Sequence, residues 1–151
     1  MERLELVAAF LKSGSTLALS TSGDAGSPGV APLFYLPGDN LELYWFSSPR
    51  SGHSRNVKQN PAAAVTVYAD ASRWEDIRGC QLLGAVAVVT GRPRRAIAEA
   101  YAQRFRLGLL FRGAMTRSRL YVFRPRWVRY IDNSRGFGFK FEIDLEPDRL
   151  G

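Results

Sequence analysis

The sequence predicts an α+β fold, a mainly antiparallel split β-barrel with flanking helices. Three observations carry that expectation. Short apolar and β-branched runs alternate with Gly, Pro, Asn and Asp turns along most of the chain. Helical periodicities split those runs without regular βαβ alternation, which argues against a parallel sheet. Two glycines fall inside the longest strand-like run, where a closing barrel needs bends or bulges.

The elements follow in order. Residues 2–12 read as a helix with Leu4, Val7, Ala8 and Leu11 on its apolar face, stopped by Ser13-Gly14. Thr16–Ser22 reads as a strand ended by the turn Ser-Gly-Asp-Ala-Gly. Val30–Leu36, the turn Pro37-Gly38-Asp39-Asn40 and Leu41–Phe46 complete what should be a three-stranded antiparallel meander. Ser51–Gln59 reads as a short helix capped by Ser51 and stopped before Asn60-Pro61.

Ala62–Ala69 and Ile77–Gly91 are the next strands, the second carrying Gly79 and Gly84. Arg94–Phe105 should be a helix with Ile97, Tyr101 and Phe105 on one face. Leu120–Arg124 and Trp127–Ile131 read as two strands, and Phe139–Leu145 as a last one.

The chain has 151 residues, 46% hydrophobic and 23% charged, which suits one domain spanning 1–151 with its own core. No apolar run approaches a membrane span. Glu2 and Glu5 stand where a secretory signal would be basic, so a cytoplasmic location and no membrane association are the expectation. The single cysteine, Cys80, rules out an intrachain disulfide or a multi-cysteine zinc cluster, and the single histidine, His53, a His-rich metal site. Cys80 reads as a small buried hydrophobe.

The net charge of +7 is uneven. Residues 92–140 hold thirteen Arg/Lys against Glu99 and Asp132, a local +11, so the remainder is −4. Only Lys12, Lys58 and Lys140 are lysines. An arginine excess of this kind is what GC-rich coding produces, and a basic pI specifies no partner, so nucleic acid is not the expected ligand.

Three stretches in sequence order resemble the pyridoxamine 5′-phosphate oxidase-like superfamily of FMN-binding split barrels. They are Gly29–Asn40 continuing into Leu41–Ser48, which is similar to the family's central hairpin; Ser47–Pro61, SSPRSGHSRNVKQNP; and Trp74–Gly84, WEDIRGCQLLG. Trp127–Gly138 resembles a short branch of that superfamily, and the likeness covers roughly residues 15–140.

The resemblance implies a homodimer with FMN at the subunit interface and a small-molecule electron donor or acceptor. Its phosphate would be held where the strand ending at Ser47 and Ser48 meets the helix start Ser51-Gly52-His53-Ser54-Arg55. The residue chemistry agrees. A helix N-terminus offers free N–H groups and partial positive charge, and serine hydroxyls with Arg50 add donors. The candidate cofactor residues are Ser47, Ser48, Arg50, Ser51, His53, Ser54, Arg55 and Gln81. Gln81 matches the family's ring-contacting glutamine, while an alignment ending on Gly84 puts Gly79 there instead.

The chain departs from the family at three places. His53 stands where the family often has Lys, and Ala31 lies near where an Arg often opens the second strand. The Arg-His motif that grips the pyridoxal substrate in the true oxidases is absent, with Arg129-Tyr-Ile-Asp in its neighbourhood. Genuine pyridoxamine-phosphate oxidase activity is therefore not expected.

Alternative roles accompany each candidate. His53 contacts phosphate, binds haem as in some split-barrel relatives, or simply faces solvent. Ser47 and Ser48 bind phosphate, or cap and turn. Trp45, Trp74 and Trp127 stack on a ring system, line an interface or fill the core. Asp132–Gly136 shapes a pocket or forms a turn held by its own side chains. No side-chain set builds a nucleophile–base pair, so any redox chemistry would belong to the flavin. Two functions follow: an FMN-dependent oxidoreductase, or a non-catalytic module that binds flavin, haem or another anion, or has lost its cofactor.

Overall fold

The computed structural model describes residues 2–146. Its elements run α1 (Arg3–Ser13), β1 (Thr16–Ser22), β2 (Pro28–Phe34), β3 (Leu36–Pro37), β4 (Leu43–Ser47), α2 (Gly52–Gln59), β5 (Ala62–Tyr68), β6 (Arg78–Val89), α3 (Arg92–Arg104), α4 (Leu109–Thr116), β7 (Arg119–Asp132) and β8 (Lys140–Asp144). All strand pairings are antiparallel. The sheet order is β2-β1-β5-β6-β7-β4-β3, with β8 added beside β7. The α+β split barrel is therefore present.

Its closure explains one correction. The expected meander does not form: β2 pairs with β1, whereas β4 pairs with β3 and β7. Tyr35 alone separates β2 from β3, which lie at opposite ends of the sheet path. The chain turns a corner there and wraps the sheet round. Tyr35 is wholly buried, its hydroxyl donates to the Leu11 carbonyl at the end of α1, and its N–H donates to Ser15 O at 3.0 Å.

β7 is one long strand rather than two. Its first half pairs with β4 and its second half with β8, while β6 flanks it throughout. A proline inside a strand needs a bulge, and one is present. Leu83 faces Trp127 and Gly84 faces Pro125, so Arg126 is the extra residue. Gly84 admits the bulge, because a Cβ there would sit 2.1 Å from the Arg124 carbonyl oxygen. Gly79 marks no register shift.

The core fills the barrel with alternate residues of the strands, among them Leu19, Leu43, Trp45, Val67, Leu82, Phe123, Val128 and Tyr130. Two helices plug it. From α1 come Val7, Phe10 and Leu11; Leu4, expected on that face, is 46% exposed, and Phe10 takes its place against Tyr130. From α2 comes Val57. Cys80 is buried as expected, and its thiol is pushed up to about 12 by that burial, partly offset by Arg78.

The helix α4 was not legible. Its residues LLFRGAMT contribute no buried side chain, so there is no core-facing stripe to read. α3 packs through Tyr101, edge-on to Phe46 and Phe105, with Phe105 against Phe34.

The candidate anion and cofactor site

Ser51 is the N-cap of α2: it has extended backbone angles, and its Oγ lies 3.4 Å from the Ser54 N–H. The cap is reinforced from both sides. Ser51 Oγ donates to Ser48 O at 2.9 Å and lies 2.7 Å from Ser54 Oγ. The Arg50 N–H donates to Ser48 Oγ at 3.2 Å. His53 folds back across the cap, with Nε2 2.8 Å from Ser47 Oγ and 3.1 Å from Ser51 Oγ. Burial lowers the His53 pKa below its ordinary value, so the ring is neutral at pH 7. Asn56 fastens the helix to β1 through a 3.0 Å bond from Nδ2 to Thr21 Oγ1.

Beyond the cap lies a hollow of about 420 Å³ between α2 and the end of the barrel. Ser54, Arg55 and Lys58 line it from α2, Val86 and Val88 from β6, and Arg119 and Tyr121 from β7. Among the described residues, no carboxylate lies within ion-pair distance of Arg55, Lys58 or Arg119. The space in front of Gly52 is open. The hollow thus joins Ser54 of the first turn of α2, three cations and an apolar wall, and that set suits an anionic group attached to an apolar body.

The structure sorts the expected residues. Ser47, Ser48, Ser51, His53 and Ser54 form one hydrogen-bonded cluster, and Ser54 and Arg55 also line the hollow. Arg50 is exposed and does not line it. Gln81 is elsewhere. It projects from the outer face of β6 into a shallow hollow of about 320 Å³ with Ser20, Val30, Thr66, Leu83 and Trp127. Val86 lies five residue steps further along β6, a span of about 17 Å. One chain therefore does not bring Gln81 to α2.

Lys58 and Arg119 escaped the sequence reading. Lys58 could have been found, since it lies three residues after Arg55 on one helix face. Arg119 could not, because only the register of β4 with β7 sets it opposite Ser47.

Asp132–Gly136 resolves as a turn held by its own side chains. Asp132 Oδ1 accepts from Ser134 N–H at 3.0 Å and from Ser134 Oγ at 2.5 Å. Its Oδ2 takes the Tyr130 hydroxyl at 3.2 Å and lies 3.5 Å from Arg78 and 3.4 Å from Arg135. Of the tryptophans, Trp45 is core, Trp74 is half exposed against Phe137, and Trp127 lines the hollow of Gln81.

A split barrel that turns its corner at Tyr35, with the Ser51-capped start of α2 beside Ser47 at the end of β4, defines the class. The sequence model of pyridoxamine 5′-phosphate oxidase matches residues 4–132, and the chain belongs to that family. Solved structures agree on the fold. A conserved hypothetical protein from Mycobacterium tuberculosis is 19% identical with a TM-score of 0.76, over 87% of this chain and 85% of that one. HutZ, a haem storage protein from Vibrio cholerae, is 18% identical with a TM-score of 0.70, over 83% and 91%. A haem-binding protein from Mycobacterium smegmatis is 18% identical with a TM-score of 0.74, over 97% of this chain but 59% of that one. No curated protein sequence matches the chain. Among the described residues, no helix is long and apolar enough to cross a membrane, and no group of three or more His, Cys, Asp or Glu is placed to hold a metal ion.

Proposed function

We propose that this protein is an FMN-binding oxidoreductase that works as a homodimer, with the ribityl phosphate at the start of α2. The observation that carries the reading is the hollow that Arg55, Lys58 and Arg119 share with Ser54 of that helix's first turn. These cations take the place of those missing at Ala31 and His53. Bound flavin would supply hydride or electron transfer; the protein would supply binding, orientation and exclusion of water. A dimer fits the separation of Gln81 from α2, since a second copy could present its Gln81 to the ring. The electron donor and acceptor would be small molecules.

Haem is the second reading, prompted by the relatives whose names record haem. Ligand chemistry disfavours it. The one imidazole is neutral but already engaged with Ser47 and Ser51, and the one thiol is buried with a raised pKa.

FMN and riboflavin titrations followed by flavin fluorescence test the proposal. FMN should bind at least about tenfold more tightly than riboflavin, and Arg55→Ala and Lys58→Ala should each weaken FMN roughly tenfold to a hundredfold. Equal affinity for the two flavins, or variants that bind like the parent, would reject the phosphate site. A Soret band after haem addition, without flavin binding, would favour the second reading.

A further inference from the structure

We propose that α4 is a surface anchor that inserts into anionic lipid membranes. Leu109, Leu110 and Phe111 are 89%, 85% and 61% exposed, the most exposed run of large apolar side chains among the described residues. Their exposure is not fraying. Arg112 pairs with Glu99 at 3.1 Å and donates to Leu107 O, while Arg94 reaches Met115 O and Ser118 O at 3.2 and 3.1 Å. The α3 helix and the flanking linkers therefore hold α4 in place with its apolar end outward.

Two features select the occupant. First, successive helical residues are rotated by about 100°, so three in a row fan over about 200°. A single flat protein face cannot cover all three, whereas a fluid acyl layer surrounds them. Second, residues 92–119 carry eight arginines against the single acid Glu99. Arg106, Arg112 and Arg117 flank the apolar run, as in helices that seat apolar side chains below anionic headgroups. A two-fold contact between copies centred on α4 would set these arginines against themselves. The anchor does not span the bilayer, and it is independent of what the hollow beside α2 binds.

The test is flotation of the full-length protein with vesicles. One set is phosphatidylcholine alone, and the other contains about a third phosphatidylglycerol. The protein should float with the anionic set and remain behind with the neutral set. The triple variant Leu109→Ser, Leu110→Ser, Phe111→Ser should lose at least about tenfold in partitioning, and Arg106→Glu with Arg117→Glu a similar factor, since both apolar insertion and charge attraction are needed. Those side chains are exposed, so the barrel should keep its circular dichroism and its melting temperature. Failure to float with anionic vesicles at physiological salt would overturn the proposal, as would flotation unchanged by the triple variant. So would a triple variant that turns a dimer into a monomer in light scattering, because α4 would then be an interface between copies.

Discussion

His53 Nε2 lies 2.8 Å from Ser47 Oγ, so the only histidine of the chain is locked onto the last residue of β4. Burial holds its pKa below the ordinary value. The unfolded chain then takes up the proton first as pH falls. Stability from this site is complete above about pH 6.5, the unfolded value, and declines as pH drops from there toward the lower folded value. Because the ring keeps some contact with solvent, screening should keep the loss small. Urea denaturation of His53→Asn at pH 7.5 and 5.5 should show a smaller stability difference than the parent. An equal difference would place the pH response elsewhere.

Asp132 is the opposite case. Burial alone would raise its pKa, but the hydroxyl and N–H of Ser134, then Tyr130 and Arg78, outweigh it and hold the carboxyl below its usual value. Its contribution is present above the unfolded value, about pH 3.9, and is lost as pH falls through the lower folded one. Asp132→Ala leaves the Tyr130 hydroxyl and the Ser134 N–H without their acceptor, while the two arginines stay partly solvated, and should cost about 1–3 kcal/mol by chemical denaturation. A cost under about 1 kcal/mol would mean that the turn stands without the carboxylate.

Gly84 and Gly113 make a matched pair. A Cβ at Gly84 meets the Arg124 carbonyl at 2.1 Å and Pro125 Cα at 2.8 Å, all backbone. Gly84→Ala should destabilise by about 2–4 kcal/mol through forced separation of β6 and β7. At Gly113, inside α4, a Cβ meets nothing within 4 Å, and Gly113→Ala should stabilise that helix by about 0.5–1 kcal/mol. Thermal melts distinguish the two signs.

Cys80 should be inert in the folded protein. It is 1% exposed and burial raises its pKa to about 12. A thiol-reactive disulfide reagent should label it only in denaturant; rapid labelling of the native protein would mean that β6 opens locally.

The proposed dimer should rest on the outer sheet face. Val30 is 75% exposed there and Leu83 40%, beside Gln81 and Trp127. Leu83→Asp should shift the mass in light scattering from dimer to monomer while leaving the melting temperature nearly unchanged. A parent that is already monomeric would remove this interface and the two-chain cofactor site together.

Much of this molecule is local and therefore legible. Thr16–Ser22 is bounded by its own turns, and Ser51 with Asn60-Pro61 sets both ends of α2, so neighbouring residues suffice to place them. The serine cluster around His53 was readable for the same reason, since its members lie within eight residues of one another. What the sequence could not decide involves contacts between distant segments. The corner at Tyr35 depends on a carbonyl of α1, 24 residues away, and it decides that β4 joins β7 rather than β2. Likewise Pro125 looks like a strand break until Gly84 makes room for the bulge that lets β7 run on. The sequence by itself determined the Ser51-capped start of α2 and the serines that surround it. Only the tertiary structure decided which cations face it, because Arg119 reaches that hollow through strand register, a property of two paired segments that neither segment encodes alone.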